Sequence, residues 1–158
     1  MHIFIMRHGD AQQSGYQDSQ RELTQRGIVE VSAMATRLQH ASTKIDHVLI
    51  SPYKRAQQTA SIVLSALPYE PTTSTIDLIT PSGSPSHVHD YIDGMQGIKQ
   101  LNGLLIISHM PLVSFLVAEL TYEKSAPIFQ TAAIAEIDYD LEKMKGHLSE
   151  ITSPNHFE

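Results

Sequence analysis

The chain opens on His2-Ile3-Phe4-Ile5-Met6-Arg7-His8-Gly9, a short apolar run that stops at an arginine, a histidine and a glycine. Residues 2–6 are too few for a helix and read as a buried strand. The same design recurs twice. His47-Val48-Leu49-Ile50 is followed by Ser51-Pro52-Tyr53-Lys54-Arg55, and Leu104-Leu105-Ile106-Ile107 by Ser108-His109-Met110-Pro111. In open α/β sheets, ligands bind beyond the carboxyl ends of the strands. If these strands are parallel neighbours, Arg7, His8, Arg55 and His109 converge on one rim.

Longer amphipathic stretches separate the apolar runs. Thr24 is placed to cap a helix on which Ile28, Val31, Ala35 and Leu38 recur at three- and four-residue steps. Ser51-Pro52 reads as an N-cap with proline at the first helical position, opening a helix to about Leu67. Weaker periodicity predicts a helix over residues 86–100, and Pro111–Leu120 the helix after the third strand. Residues 10–23 are polar and read as a loop. Residues 68–86, broken by Pro68, Pro71, Pro81, Gly83 and Pro85, read as another, with a short strand near Thr75–Leu78. Residues 133–139 and 146–151 predict two closing strands, paired antiparallel. Without repeat or linker, the pattern predicts one domain over residues 1–158, a three-layer α/β/α fold with a mostly parallel sheet.

The balance of 41% apolar and 18% charged residues is that of an ordinary soluble protein. No cysteine is present, which excludes thiol catalysis and disulfides and is compatible with a reducing compartment. A net charge of −6 argues against a nucleic-acid surface but not against a local anion site. The opening run lacks the features of a signal peptide, and no apolar segment approaches the roughly 20 residues of a membrane span. A cytoplasmic protein without membrane attachment is expected, and nothing demands more than a monomer.

Two guanidiniums and two imidazoles suit a phosphoryl group. Arginine offers paired donors and permanent charge to the non-bridging oxygens. A neutral imidazole is a competent nucleophile, and a second histidine can donate to the transition state. In-line positioning and charge stabilisation then suffice without a metal or other cofactor. Gly9 allows a close backbone turn behind the nucleophile. For an isolated Arg-His pair, a plain strand-end cap is the competing reading.

Four motifs in order settle that choice. Arg7-His8-Gly9 resembles the signature of the histidine phosphatase superfamily, the phosphoglycerate mutase-like fold. Leu23-Thr24 followed by Gly27 is similar to a second family motif. Ser51-Pro52-Tyr53-Lys54-Arg55-Ala56-Gln57-Gln58-Thr59-Ala60 is similar to its second arginine motif, and Ser108-His109 to its last. The motifs span roughly residues 1–120. The resemblance implies that His8 is transiently phosphorylated, that Arg7 and Arg55 bind the phosphoryl oxygens, and that His109 completes the pocket. It implies a further substrate contact by Arg21, for which a solvated loop arginine is the alternative.

Within the superfamily, the segments Ile5–Ala11, Leu78–Gly83 and Ser108–Leu120 resemble the small bacterial phosphohistidine phosphatases. Two features agree with that. Only residues 60–107 separate the second arginine motif from the last histidine, which leaves little chain for a lid subdomain and favours a phosphohistidine carried on a folded protein. Many relatives also carry a glutamate acid for an alkoxide leaving group, and residues 77–83 hold none; Asp77 is placed in the short strand. General acid help is typically worth about 10²–10⁴ in rate. An imidazole, titrating near ~6.5, leaves with far less of it. Asp10 or Asp18 could still supply an acid.

The expected function is a phosphohistidine phosphatase acting on histidine-containing phosphotransfer proteins of bacterial signalling. The alternatives are a phosphatase of small phosphate esters and a non-catalytic phosphohistidine-binding module. His87-Val88-His89-Asp90 is the best candidate for a metal, but at i, i+2 on a helix the two rings point apart, and surface histidines are the expectation.

Overall fold

The first strand becomes the middle of the sheet because its residues are apolar on both faces. In the computed structural model, which describes residues 1–13 and 17–154, β1 (His2–Arg7) buries Ile3, Phe4, Ile5 and Met6 almost completely. The other elements are α1 (Gln25–Gln39), β2 (His47–Ile50), α2 (Lys54–Ala66), β3 (Thr72–Thr75), α3 (Pro85–Lys99), β4 (Gly103–Ser108), α4 (Leu112–Leu120), β5 (Ile134–Asp140) and β6 (Lys145–Thr152). Two 3-10 turns, Asp18–Gln20 and Asp77–Ile79, lie in the loops.

The six strands form one sheet in the order β3-β2-β4-β1-β5-β6. β1, β2, β3 and β4 are parallel, whereas β5 and β6 run antiparallel to their neighbours. The expected α/β class, the mostly parallel sheet and the closing antiparallel pair are all present. Alternation along the strands divides the core in two. Ile3, Ile5, Leu104 and Ile106 pack with residues of α3 and α4, including Val88, Ile92, Leu112 and Leu116. Phe4, Met6, Leu105 and Ile107 pack on the other face with Val31, Met34, Ala56 and Val63 of α1 and α2.

Several local expectations shift. Thr24 caps α1, its Oγ1 accepting from the Gly27 N–H at 3.0 Å. Ile28, expected on the buried stripe, is 40% exposed, and Gly27, Glu30 and Met34 take its face instead. The second helix is capped at Tyr53 and not at Ser51, because the Ser51 hydroxyl has another partner. The short strand is Thr72–Thr75, three residues earlier than expected, and Asp77 falls in the exposed turn after it. The reason is register: β3 pairs with all four residues of β2, and His47 reaches across to the hydroxyls of Thr72 and Ser74. His89 is no surface histidine. It bonds Glu119 at 3.2 Å and the Tyr139 hydroxyl at 2.8 Å, and Tyr139 in turn donates to Asp93. Residues 14–16 of the loop over 10–23, and His156, lie outside the described residues.

Candidate active site

Parallel pairing brings the three expected strand ends together. β4 lies between β1 and β2, with Arg7 level with Ser108 and Ile50 level with Ile107. The residues that follow the three strands are His8, Ser51 and His109, with His8 level with His109 and Ser51 one position behind them. The two imidazoles lie 5.0 Å apart by ring centroid. Both are nearly inaccessible, His8 at 6% and His109 at 1% exposure.

His8 is held by backbone on every side. Its N–H donates to the Ser108 carbonyl, and its own carbonyl accepts from the Ala132 N–H. Nδ1 lies 2.7 Å from the Gly9 carbonyl, which can only accept. The Nδ1 proton is thereby assigned, and the lone pair falls on Nε2. Arg55 donates to Nε2 through its Nε at 3.2 Å. Burial foremost, with Arg55 and Arg7 adding to it and the Gly9 bond opposing, lowers the His8 pKa to about 3. Burial, then His8 and the arginines, lowers that of His109 to about 2. Both rings are neutral at ordinary pH, and His8 presents an unprotonated nitrogen.

Ser51 bonds His109 Nε2 at 2.7 Å, and Tyr53 meets the same ring edge-on at 5.1 Å between centroids. His109 Nδ1 is buried and has no hydrogen-bond partner among the described residues; the same is true of Arg7 Nε. Arg7 donates through Nη1 to the Phe129 carbonyl at 2.7 Å, and Arg55 lies against the Tyr53 ring. Burial pulls both arginines below the ordinary guanidinium value, while Glu30 opposes this at Arg7 and Asp18 at Arg55. Arg21 belongs to this group. It donates from Nε to Asp18 at 3.0 Å and from Nη1 to the Gln12 carbonyl at 2.8 Å.

The glycines explain how the loop is seated. A Cβ on Gly9 would sit 2.7 Å from Val31 Cγ2, and one on Gly27 only 2.1 Å from the Asp10 carbonyl oxygen. The loop leaving His8 thus lies directly on the first turn of α1. Thr24 fixes it by donating to Asp10 Oδ2 at 2.7 Å. Asp10 is committed to this cap, and Asp18 to the two arginines. Neither is placed as a proton donor to the imidazoles, and no carboxylate bonds either ring among the described residues.

Several contributors carried little or no signal in the sequence. Ser51 read as a helix cap. Phe129 and Ala132 act through backbone groups, which no side-chain pattern records. Glu30, 8% exposed, accepts from the Asp10 N–H and the Thr131 hydroxyl and so ties two loops behind Arg7. Gln58 accepts from the Leu23 N–H. Elsewhere, a cavity of about 660 Å³ opens beside His2, Phe4 and Arg37, at the far end of β1 from His8. Its charged groups are already paired, Arg37 with Glu136 and Glu150, and His2 with Glu136. Among the described residues there is no group of three or more histidine or acidic side chains able to hold a metal ion.

Residues 3–78 match the histidine phosphatase superfamily (branch 1). The chain is 39% identical to the phosphohistidine phosphatase SixA of Escherichia coli K12, over 89% of this chain and 86% of that one. It is 40% identical to the SixA homologue of Haemophilus influenzae, over 96% and 93%. Among solved structures, the protein histidine phosphatase SixA complexed with tungstate superposes with a TM-score of 0.94 at 37% identity, over the whole of both chains. The α-ribazole phosphatase from Shigella flexneri superposes with a TM-score of 0.75 at 19% identity, over 98% of this chain and 97% of that one, a likeness of fold alone. With its histidine pair at neighbouring strand ends and relatives of this identity over nearly its full length, the chain belongs to the histidine phosphatase superfamily.

Proposed function

We propose that the protein is a phosphohistidine phosphatase acting on phosphorylated histidine-containing phosphotransfer proteins. His8 Nε2 attacks phosphorus as the bond from phosphorus to the substrate imidazole breaks, and that ring leaves as neutral imidazole, keeping the proton already held on its other nitrogen. Water then attacks the phosphorus, the His8–phosphorus bond breaks, and inorganic phosphate departs. Arg7, Arg55 and Arg21 hold the non-bridging oxygens. Ser51, by donating to His109 Nε2, keeps the proton on Nδ1, the nitrogen without a protein partner, where it serves a phosphoryl oxygen. Charge and alignment carry this chemistry, so no metal is required.

One observation carries the choice of substrate. Both carboxylic acids near the nucleophile are engaged, Asp10 with Thr24 and Asp18 with the arginines. A leaving alkoxide would need a proton that nothing here is placed to give, whereas a phosphohistidine ring protonated on its other nitrogen departs as neutral imidazole with no proton from the enzyme. The SixA relatives, phosphohistidine phosphatases by name, support the same reading.

The test is incubation with a phosphotransfer domain labelled on its histidine. Release of inorganic phosphate, unaffected by EDTA and abolished by His8→Ala, is expected. Retained label in a stable complex would instead indicate a binding module. Efficient turnover of small esters with an untouched phosphoprotein would indicate an ester phosphatase.

A further inference from the structure

Asp18 stands on a three-residue turn with no buried residue, and its side chain is 56% exposed. Nothing in the packing of the fold requires a carboxylate there. Yet, among the described residues, Asp18 is the one that two arginines of the site, Arg21 and Arg55, both contact through hydrogen bonds. Arg55, whose side chain is only 3% exposed, donates from Nη1 to the Asp18 carbonyl at 2.6 Å and from Nη2 to Oδ2 at 3.3 Å. Arg21 donates from Nε to Oδ1 at 3.0 Å. The remaining donor of the Arg55 fork that has a partner, Nε, lies on the nucleophile itself.

From this geometry we infer that Asp18 is a positioning residue for phosphoryl transfer, its carboxylate spanning Arg55 and Arg21 and fixing the two guanidiniums as one anion-binding unit. The inference rests on the reading of Arg55 and Arg21 as phosphoryl-binding groups. A guanidinium is useful to a transition state only in a fixed plane, because its paired donors must match two oxygens at once. The contacts of Asp18 set that plane: one fork is held from its outer edge while its inner edge faces His8. They also bring Arg21, on the same loop, to the same anion. The carboxylate has an opposing effect, since its charge offsets part of the attraction felt by an incoming phosphoryl group. Positioning and charge therefore predict opposite consequences when Asp18 is removed.

The experiment uses the full chain with a phosphorylated phosphotransfer domain, comparing Asp18→Ala, Asp18→Asn and Asp18→Glu. Positioning predicts kcat at least tenfold lower for Asp18→Ala, a melting temperature within about 2 °C of the parent, and partial recovery of kcat in Asp18→Glu. A kcat within threefold of the parent for Asp18→Ala would overturn the inference. So would a rise in kcat/KM for both Ala and Asn variants, which marks a mere competing counterion. A loss of kcat accompanied by a large fall in melting temperature and no recovery with Glu would show a structural role and equally overturn it. Arg55→Ala, run in parallel, separates the two levels: if that variant keeps its activity, the phosphoryl-binding reading itself is wrong.

Discussion

The two sides of the candidate site are built in contrasting ways. His8 and His109 continue buried parallel strands, with backbone bonds to Ser108, Gly9 and Ala132 around His8. Asp18 and Arg21 sit across from them on a loop turn, with 56% and 24% of their side chains exposed, and are held by one another and by Arg55. The strand side is fixed by the same packing that stabilises the fold, so its chemistry and its stability are coupled. The loop side is fixed by charge in partial contact with water, where such bonds contribute little to stability. Position can therefore be altered on the loop side without unfolding the chain, and hardly at all on the strand side.

That contrast can be broken by substitution. The largest effect is expected at the strand side: His109→Ala should reduce kcat by about 10²–10³, the range for removing one preorganised donor, measured with the phosphorylated protein substrate. Next comes the seam between the two sides. Gly27→Ala drives a Cβ into the Asp10 carbonyl and should cost about 1–3 kcal/mol of stability, read as a lower urea midpoint. A parental midpoint would mean that the loop is not seated on α1 as described. Ser51→Ala removes the bond that orients His109, together with a longer one accepted from the Tyr53 N–H. It should lower kcat about tenfold, corresponding to about 1.4 kcal/mol, with the urea midpoint little changed.

The last effect is graded with pH. Unfolded histidine titrates near ~6.5, whereas His8 and His109 in the fold hold off protonation to about 3 and about 2. Below the unfolded value the unfolded chain binds two protons that the folded chain does not. The contribution is complete above that value and is lost progressively as pH falls toward the folded ones. Urea midpoints between pH 6 and 4 should therefore decline, and His109→Gln should remove up to one proton from that slope. An unchanged slope would place the His109 ring in water.

The strand side was legible in the sequence because its signals are local. Apolar runs ending at Arg7-His8, Ser51 and Ser108-His109 announce buried strands, and parallel pairing follows from the helices between them. The fold brings His8 within 3.2 Å of Arg55 and 5.0 Å, ring to ring, of His109. What stayed hidden depends on distance. Ser51 followed by Pro52 has every local mark of a cap, and only the arrival of His109, 58 residues later, gives its hydroxyl a stronger partner. Asp18 read as one of two possible acids, because pairing with Arg55 requires a fold that brings a loop over a helix. The position of β3 followed register with β2 and not the composition of residues 75–78. His89 looked exposed beside His87, since nothing nearby reveals Tyr139 and Glu119 arriving from later elements.

The central place of β1 has a consequence for biosynthesis. Its two neighbours are residues 103–108 and 134–138, so β1 is made well before the segment that pairs with either of its edges. Until then Ile3, Phe4, Ile5 and Met6 form a sticky β-prone segment in the nascent polypeptide, of the kind on which chaperones act. Such long-range closure makes for slow folding. It also delays competence: His8 receives the Ala132 amide only after residue 132 has been made, so a partly made chain carries His8 without the frame that aims it.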